Sequence, residues 1–120
     1  MSSSQLIVGV VGPCASGKST LVEQLRDLGY QGKHIAQEHS YVKDMWAKIA
    51  QPDVLIYLDV SYETTCQRTA STFSRKIYTN QVERLAHAKQ NADLYVKTDH
   101  LSPAAVAEEV IRFLDNYPAG

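Results

Sequence analysis

Gly12-Pro13-Cys14-Ala15-Ser16-Gly17-Lys18-Ser19 has the pattern G-x-x-x-x-G-K-[ST] and follows an apolar run, Leu6-Ile7-Val8-Gly9-Val10-Val11. A helical pattern opens directly after it, which supplies the strand–loop–helix context of a phosphate-binding loop. Gly12 and Gly17 allow backbone conformations closed to other residues and bring N–H groups close to an oxyanion. The N-terminus of the next helix adds unpaired donors and the positive end of its dipole. Lys18 is expected to bridge the β- and γ-phosphates as a mobile point charge. The Ser19 hydroxyl is expected to coordinate Mg²⁺, whose remaining ligands are water and phosphate oxygen. Pro13, Cys14, Ala15 and Ser16 complete the loop, and Thr20 serves either the ligand or helix packing. The implied ligand is a nucleoside triphosphate, ATP or GTP, with Mg²⁺; the bland alternative is a glycine-rich turn without a ligand.

Outward from the loop, hydrophobic spacing predicts alternating helices and strands. Residues 17–28 read as a helix with Leu21, Val22, Leu25 and Leu28 on one face, ended by Gly29 as a left-handed cap. A short strand is expected at 33–37 and a helix at 42–50, broken by Gln51-Pro52. Val54-Leu55-Ile56-Tyr57-Leu58 is continuously apolar, as in a central parallel strand covered on both faces. Ser61 is a good N-cap for a helix to Thr69 or beyond, and Asn80 with Glu83 makes a capping-box pattern for a helix to Asn91. A strand at 94–98 precedes Ser102-Pro103, an N-cap with proline at the first helical position. That final helix presents Val106, Val110, Ile111 and Leu114, with Phe113 beside them. The alternation predicts an α/β/α sandwich: a mostly parallel sheet of about four strands between helices. In such a sheet, ligands bind beyond the carboxyl ends of the strands, where the phosphate loop, Gln37–Ser40, Asp59 and Thr98–His100 converge.

At 120 residues the chain is expected to form a single domain, and its net charge of −1 argues against a general nucleic-acid binder. No apolar run approaches the length of a membrane span, and Met1–Gln5 lacks the basic and apolar parts of a signal peptide. A cytoplasmic location is therefore expected. Cys14 and Cys66 are not expected to pair, because a bridge would distort the loop. The four histidines show no metal-ligand spacing with cysteine or with each other, so no zinc site is expected.

Two acids and a basic stretch are further candidates for chemistry. Glu38 stands after the second strand, where a carboxylate can take a hydroxyl proton or hold the metal through water, or remain a solvated acid. Asp59 ends an apolar strand, either as a metal-holding acid or as an N-cap for the next helix. Arg68, Arg75 and Lys76 form a basic stretch suited to closing over phosphates, Arg68 most of all, unless they only face solvent. Arg84, His87 and Lys89 read as surface. Tyr41 and Trp46 can stack on a base, although Trp46 lies at core spacing.

Gly12 to Thr20, with Pro52-Asp53-Val54-Leu55-Ile56-Tyr57-Leu58-Asp59-Val60 and then Arg68, resembles the P-loop nucleoside and nucleotide kinases, such as thymidylate kinase and the deoxynucleoside kinases. Ala92-Asp93-Leu94 to Thr98-Asp99, followed by Ser102-Pro103, is similar to their C-terminal ending. The resemblance implies that the loop binds the donor nucleotide, that Arg68 grips its phosphates, and that Glu38 serves an acceptor. It also implies that Asp59 is not the metal-holding acid. Relatives carry further helices and an Asp/Glu-Arg element between the second strand and the Pro-Asp strand. Here only the interval from Glu38 to Pro52 fills that place, and it contains no such pair. The expectation is a minimal kinase-like protein that transfers phosphoryl to a nucleoside- or nucleotide-like small molecule, or hydrolyses NTP slowly. A second subunit is expected to complete the acceptor side as a homo-oligomer. The alternatives are a nucleotide-binding regulatory module without turnover and, more remotely, an ATPase acting on nucleic acid.

Overall fold

β1 (Ile7–Val11) and β3 (Val54–Asp59) lie side by side at the centre of a four-stranded sheet, flanked by β2 (Gln31–His34) and β4 (Leu94–Lys97) in the order β2-β1-β3-β4. This computed structural model describes residues 6–69 and 74–117. All three strand pairings are parallel, with Val8 opposite Val54 and Ile56 opposite Leu94. The connections carry α1 (Lys18–Asp27), α2 (Tyr62–Thr69), α3 (Arg75–Asn91) and α4 (Pro103–Asp115).

Period-two side-chain alternation divides the core between the two sheet faces. Val8, Val10, Val54, Ile56, Leu58 and Val96 point to one face, against Leu21, Val22 and Leu25 of α1 and Val106, Val110 and Leu114 of α4. Val11, Leu55 and Tyr57 point to the other, against Leu85 and Ala88 of α3. The continuous apolar run of β3 is thus buried on both faces, as its sequence predicts. Each fully buried Val or Leu contributes about 1.5–3 kcal/mol. Ile111 and Phe113 of α4 are only half-buried at the margin of the first cluster.

The strand ends opposite the Gly12–Ser19 loop are tied by two aspartates in equivalent positions. Asp53 Oδ2 accepts from Ile7 N at 2.8 Å, and Asp93 Oδ2 accepts from Leu55 N at 2.8 Å. The Pro-Asp and Ala-Asp elements of the sequence therefore fix strand register rather than chemistry. Helix ends follow their caps: Ser61, Ser74 and Ser102 each accept a backbone N–H from the first turn of the following helix. Gly29, at φ 94°, ends α1 in a left-handed cap with Gly29 N donating to Arg26 O and Tyr30 N to Leu25 O.

Three expected boundaries move. β2 starts at Gln31 rather than Lys33, because backbone pairing with β1, not a hydrophobic pattern, defines this edge strand. α3 starts after Ser74, which leaves Asn80 and Glu83 inside the helix instead of at its start. The helix expected over 42–50 is reduced to a wide helical turn at Trp46–Ala50. The buried Gln37 side chain explains it: Gln37 Oε1 takes the Trp46 N–H at 2.8 Å and Nε2 donates to the Val42 carbonyl at 2.9 Å. These backbone groups are thereby withdrawn from a regular helix. Any extension of α2 past Thr69 lies outside the described residues. Among the described residues, no helix is long and apolar enough to cross a membrane.

Candidate functional site

The loop between β1 and α1 takes its shape from two glycines with different constraints. A Cβ on Gly12 would collide with the Leu58 carbonyl oxygen and lie 2.7 Å from Ser16 Oγ, so the end of β3 leaves no room for one. Gly17 has open space around it but sits at φ 99°, a left-handed conformation that disfavours side chains. As the N-cap of α1 it offers no side-chain acceptor, so the helix N-terminus keeps its donors available to an anion. Ala15 also has positive φ, at 66°, and Ser16 N closes a turn on Pro13 O at 3.2 Å.

Lys18 folds back under this loop. Its Nζ donates to Gly12 O at 2.7 Å and Pro13 O at 3.2 Å, and pairs with Glu38 Oε2 at 2.9 Å. Lys18 and Glu38 are both buried, at 6% and 3% exposure, so the pair is little screened by water. Glu38 is placed by a short 3-10 turn, Gln37–His39, and its second oxygen, Oε1, is buried without a hydrogen-bond partner. His39 Nε2 stands 3.7 Å from Glu38 Oε2.

Arg68 reaches the loop from α2. It donates to Ala15 O at 2.7 Å, to Thr98 Oγ1 at 3.2 Å and to Thr98 O at 2.6 Å. The guanidinium therefore joins the Gly12–Ser19 loop to the loop after β4. Arg75 does not join it: it stacks over the Tyr62 ring at 4.2 Å and pairs with Glu63 at 3.6 Å. Lys76 is exposed in the first turn of α3.

Asp59 faces elsewhere. Its Oδ2 accepts from the Tyr95 hydroxyl and its Oδ1 accepts from Val60 N at 2.9 Å, so the carboxylate terminates β3. The Ser61 hydroxyl, not Asp59, caps α2. Burial and the Asp59 hydrogen bond push the Tyr95 phenol up to about 12. Asp99, in the neighbouring loop, accepts from Ser61 N at 2.9 Å. Burial alone would raise its carboxyl, but hydrogen bonds from Ser61 and Thr64 outweigh that and hold it at about 2.

Two cavities adjoin the loop. One of about 330 Å³ is lined by Cys14, Ala15 and Gly17 to Thr20 together with His34 and Glu38. The other, about 340 Å³, lies between the loop, Gln24 of α1, Arg68, Thr98 and the start of α4 at Leu101, Pro103 and Val106. It is apolar on the α4 side and polar at Arg68 and Thr98. A larger groove of about 640 Å³ between α1 and α4 is shallow and lies away from Lys18 and Glu38.

Gln81 is a member of the site that motif reading passes over. From α3 its Oε1 accepts from Cys14 N at 3.0 Å, and its Nε2 donates to Cys14 Sγ at 3.2 Å. Its signal in the sequence is the spacing Gln81, Leu85, Ala88, which puts a polar residue on the buried face of α3. His87, expected at the surface, receives a hydrogen bond from Trp46 Nε1 at 3.1 Å, and Trp46 packs among core residues. Tyr41 is 88% exposed, with Arg84 over its ring at 4.4 Å.

The donor set is compatible with Mg²⁺. The ion takes only one or two protein oxygens when phosphates and water supply the rest, and Ser19 and Glu38 belong to one cavity lining. No protein-family model matches the chain, and no curated protein matches it.

Proposed function

We propose that this chain is a minimal P-loop kinase-like protein that binds ATP or GTP with Mg²⁺ and transfers the terminal phosphoryl group. The acceptor is a nucleoside- or nucleotide-like small molecule, with water as the slow default. One observation carries the proposal: the buried Lys18–Glu38 pair lies under a left-handed glycine loop whose rim is held by Arg68. A cation and a base on one side of the loop and a second cation on the other support this reading.

The roles follow from the chemistry. Lys18 exchanges its two carbonyl acceptors for phosphate oxygens, a stronger charge-assisted interaction. Glu38, relieved of part of its ion pair, takes the proton of the attacking hydroxyl as its oxygen bonds to phosphorus and the bond to the bridging oxygen breaks. Arg68, from its place against Ala15 and Thr98, would offset charge on the transferring group. Bound Mg²⁺, held through Ser19, would neutralise the phosphates. The cavity beside Arg68, Thr98 and Pro103 has an apolar wall suited to a base. Phosphate release and an acceptor screen test this: turnover must depend on Mg²⁺ and fall sharply in Glu38→Gln. Turnover equal in that variant and the wild type would refute the role of Glu38.

A regulatory module without turnover is the alternative, and it has its own support. Asp59 is committed to Tyr95 and Val60, and the segment before Pro52 is held by Gln37, so Glu38 is the one buried carboxylate beside the loop among the described residues. Tight nucleotide binding with no turnover would favour that alternative. In the kinase case a second copy of the chain supplies the missing acceptor wall. Full activity from a strictly monomeric protein would contradict that part.

A further inference from the structure

The Cys14 sulfur, a Glu38 carboxylate oxygen and a His39 ring nitrogen lie within 4.8 Å of one another, although they come from two different loops. Their positions in the sequence give no hint of this, because the grouping is created by packing β2 beside β1.

We infer that Cys14, Glu38 and His39 form a binding site for a thiophilic divalent cation such as Zn²⁺, with a fourth coordination position open to the adjacent cavity. The donor types are one thiolate, one carboxylate and one imidazole, a combination that Zn²⁺ accepts in four-coordinate sites with one non-protein ligand. The thiolate selects against Mg²⁺ and Ca²⁺, which prefer oxygen.

Two independent observations point to a cation here. Glu38 is 3% exposed, yet its Oε1 has no hydrogen-bond partner, and a buried carboxylate oxygen without a donor is costly. A cation held by the Glu38 carboxylate would offset that cost. Gln81 Nε2 already donates to Cys14 Sγ at 3.2 Å, the outer-shell contact that steadies a metal-bound thiolate. Glu38 and His39 are carried on a turn anchored by the buried Gln37 and by Arg84 donating to Glu38 O at 3.4 Å. The remaining adjustment is small: tetrahedral ligation needs donor separations of roughly 3.5 Å. The His39 side chain is 60% exposed and can rotate inward.

The charges are consistent with this. The Cys14 thiol releases one proton to solvent on binding, so its thiolate and the Glu38 carboxylate, set against the Lys18 ammonium, present a net negative donor set to the entering dication. Glu38 is shared with Lys18, so an ion held here and a phosphate gripped by Lys18 draw on the same carboxylate. The proposal does not depend on nucleotide binding, and its test uses the metal alone.

The experiment titrates Co²⁺ into the folded, nucleotide-free protein and follows thiolate-to-cobalt charge-transfer absorption, then displaces Co²⁺ with Zn²⁺ against a chelator. The expected result is a saturable charge-transfer band that persists in Cys66→Ser and vanishes in Cys14→Ser. His39→Ala, a surface change that leaves the far-UV circular dichroism intact, weakens Zn²⁺ by at least about tenfold. Absence of the band in the wild type, its survival in Cys14→Ser, or unchanged Zn²⁺ affinity in His39→Ala would overturn the site.

Discussion

Lys18 Nζ sits 2.9 Å from Glu38 Oε2, with both side chains almost wholly buried. Removing one partner of such a pair leaves an uncompensated charge and costs about 3–5 kcal/mol. Lys18→Met is therefore expected to lose stability on that scale in urea unfolding. Lys18→Met/Glu38→Gln is expected to recover most of it, since neither charge is then stranded. Additive losses in the double variant would show that the two groups do not interact.

Glu38→Gln separates binding from chemistry. It frees Lys18 from its strongest competitor for phosphate, so nucleotide affinity is expected to equal or exceed that of the wild type by titration calorimetry. If Glu38 is the general base of the proposed reaction, its loss lowers turnover by about 10²–10⁴-fold. Weakened binding would mean that Glu38 positions Lys18 rather than restrains it.

Arg68 spans the loop and the β4 end through Ala15 O and both oxygens of Thr98. Lysine cannot reproduce that fork. Arg68→Lys and Arg68→Ala are expected to weaken nucleotide binding by similar factors, measured by calorimetry, with stability reduced by about 1 kcal/mol because the guanidinium is partly exposed. A Lys variant that binds like the wild type would assign Arg68 a charge role alone.

The two loop glycines are expected to respond differently. Gly17→Ala meets only an unfavourable φ, a cost of about 1–2 kcal/mol. Gly12→Ala forces a methyl into the Leu58 carbonyl and Ser16 Oγ, and is expected to cost about 3 kcal/mol or more. Chemical denaturation of both variants checks the order.

Acid sensitivity is expected to pass through Asp99. Its folded value, about 2, lies below the ordinary 3.8, so the stability it contributes is fully present above about pH 4 and is lost as pH falls toward 2. Asp99→Asn is expected to flatten the stability profile in that window, read from unfolding midpoints at a series of pH values. An unchanged slope would place the sensitivity elsewhere.

The central sheet was legible because its signals are local. A continuous apolar β3, an N-cap at Ser61 and a Ser-Pro start for α4 each fix their element with little help from distant residues. Edges and tertiary pins were not. β2 buries only Gly32 among its four residues, so pairing decides its limits. The 42–50 segment answers to Gln37, whose side chain no periodicity can weigh against a helix. The Gly12–Ser19 loop, Lys18, Glu38 and Arg68 could be nominated from motif and spacing, and in the structure Lys18 pairs with Glu38 while Arg68 bonds to the loop at Ala15. The contacts of Gln81 with Cys14, of Cys14 with Glu38 and His39, and of Asp59 with Tyr95 span 24 or more positions in the chain, invisible to a window of residues.

The most direct measurement is calorimetric titration of Mg-ATP into the wild type, Glu38→Gln and Lys18→Met/Glu38→Gln, each confirmed folded by circular dichroism. The last two differ only at Lys18, and both lack the ion pair. Saturable, Mg²⁺-dependent binding is predicted in the first two, weakened by at least about tenfold in the third, the loss of one charge-assisted contact. No saturable binding of ATP or GTP by the wild type, or equal affinity with and without Lys18, would contradict a phosphate-binding loop at Gly12–Ser19.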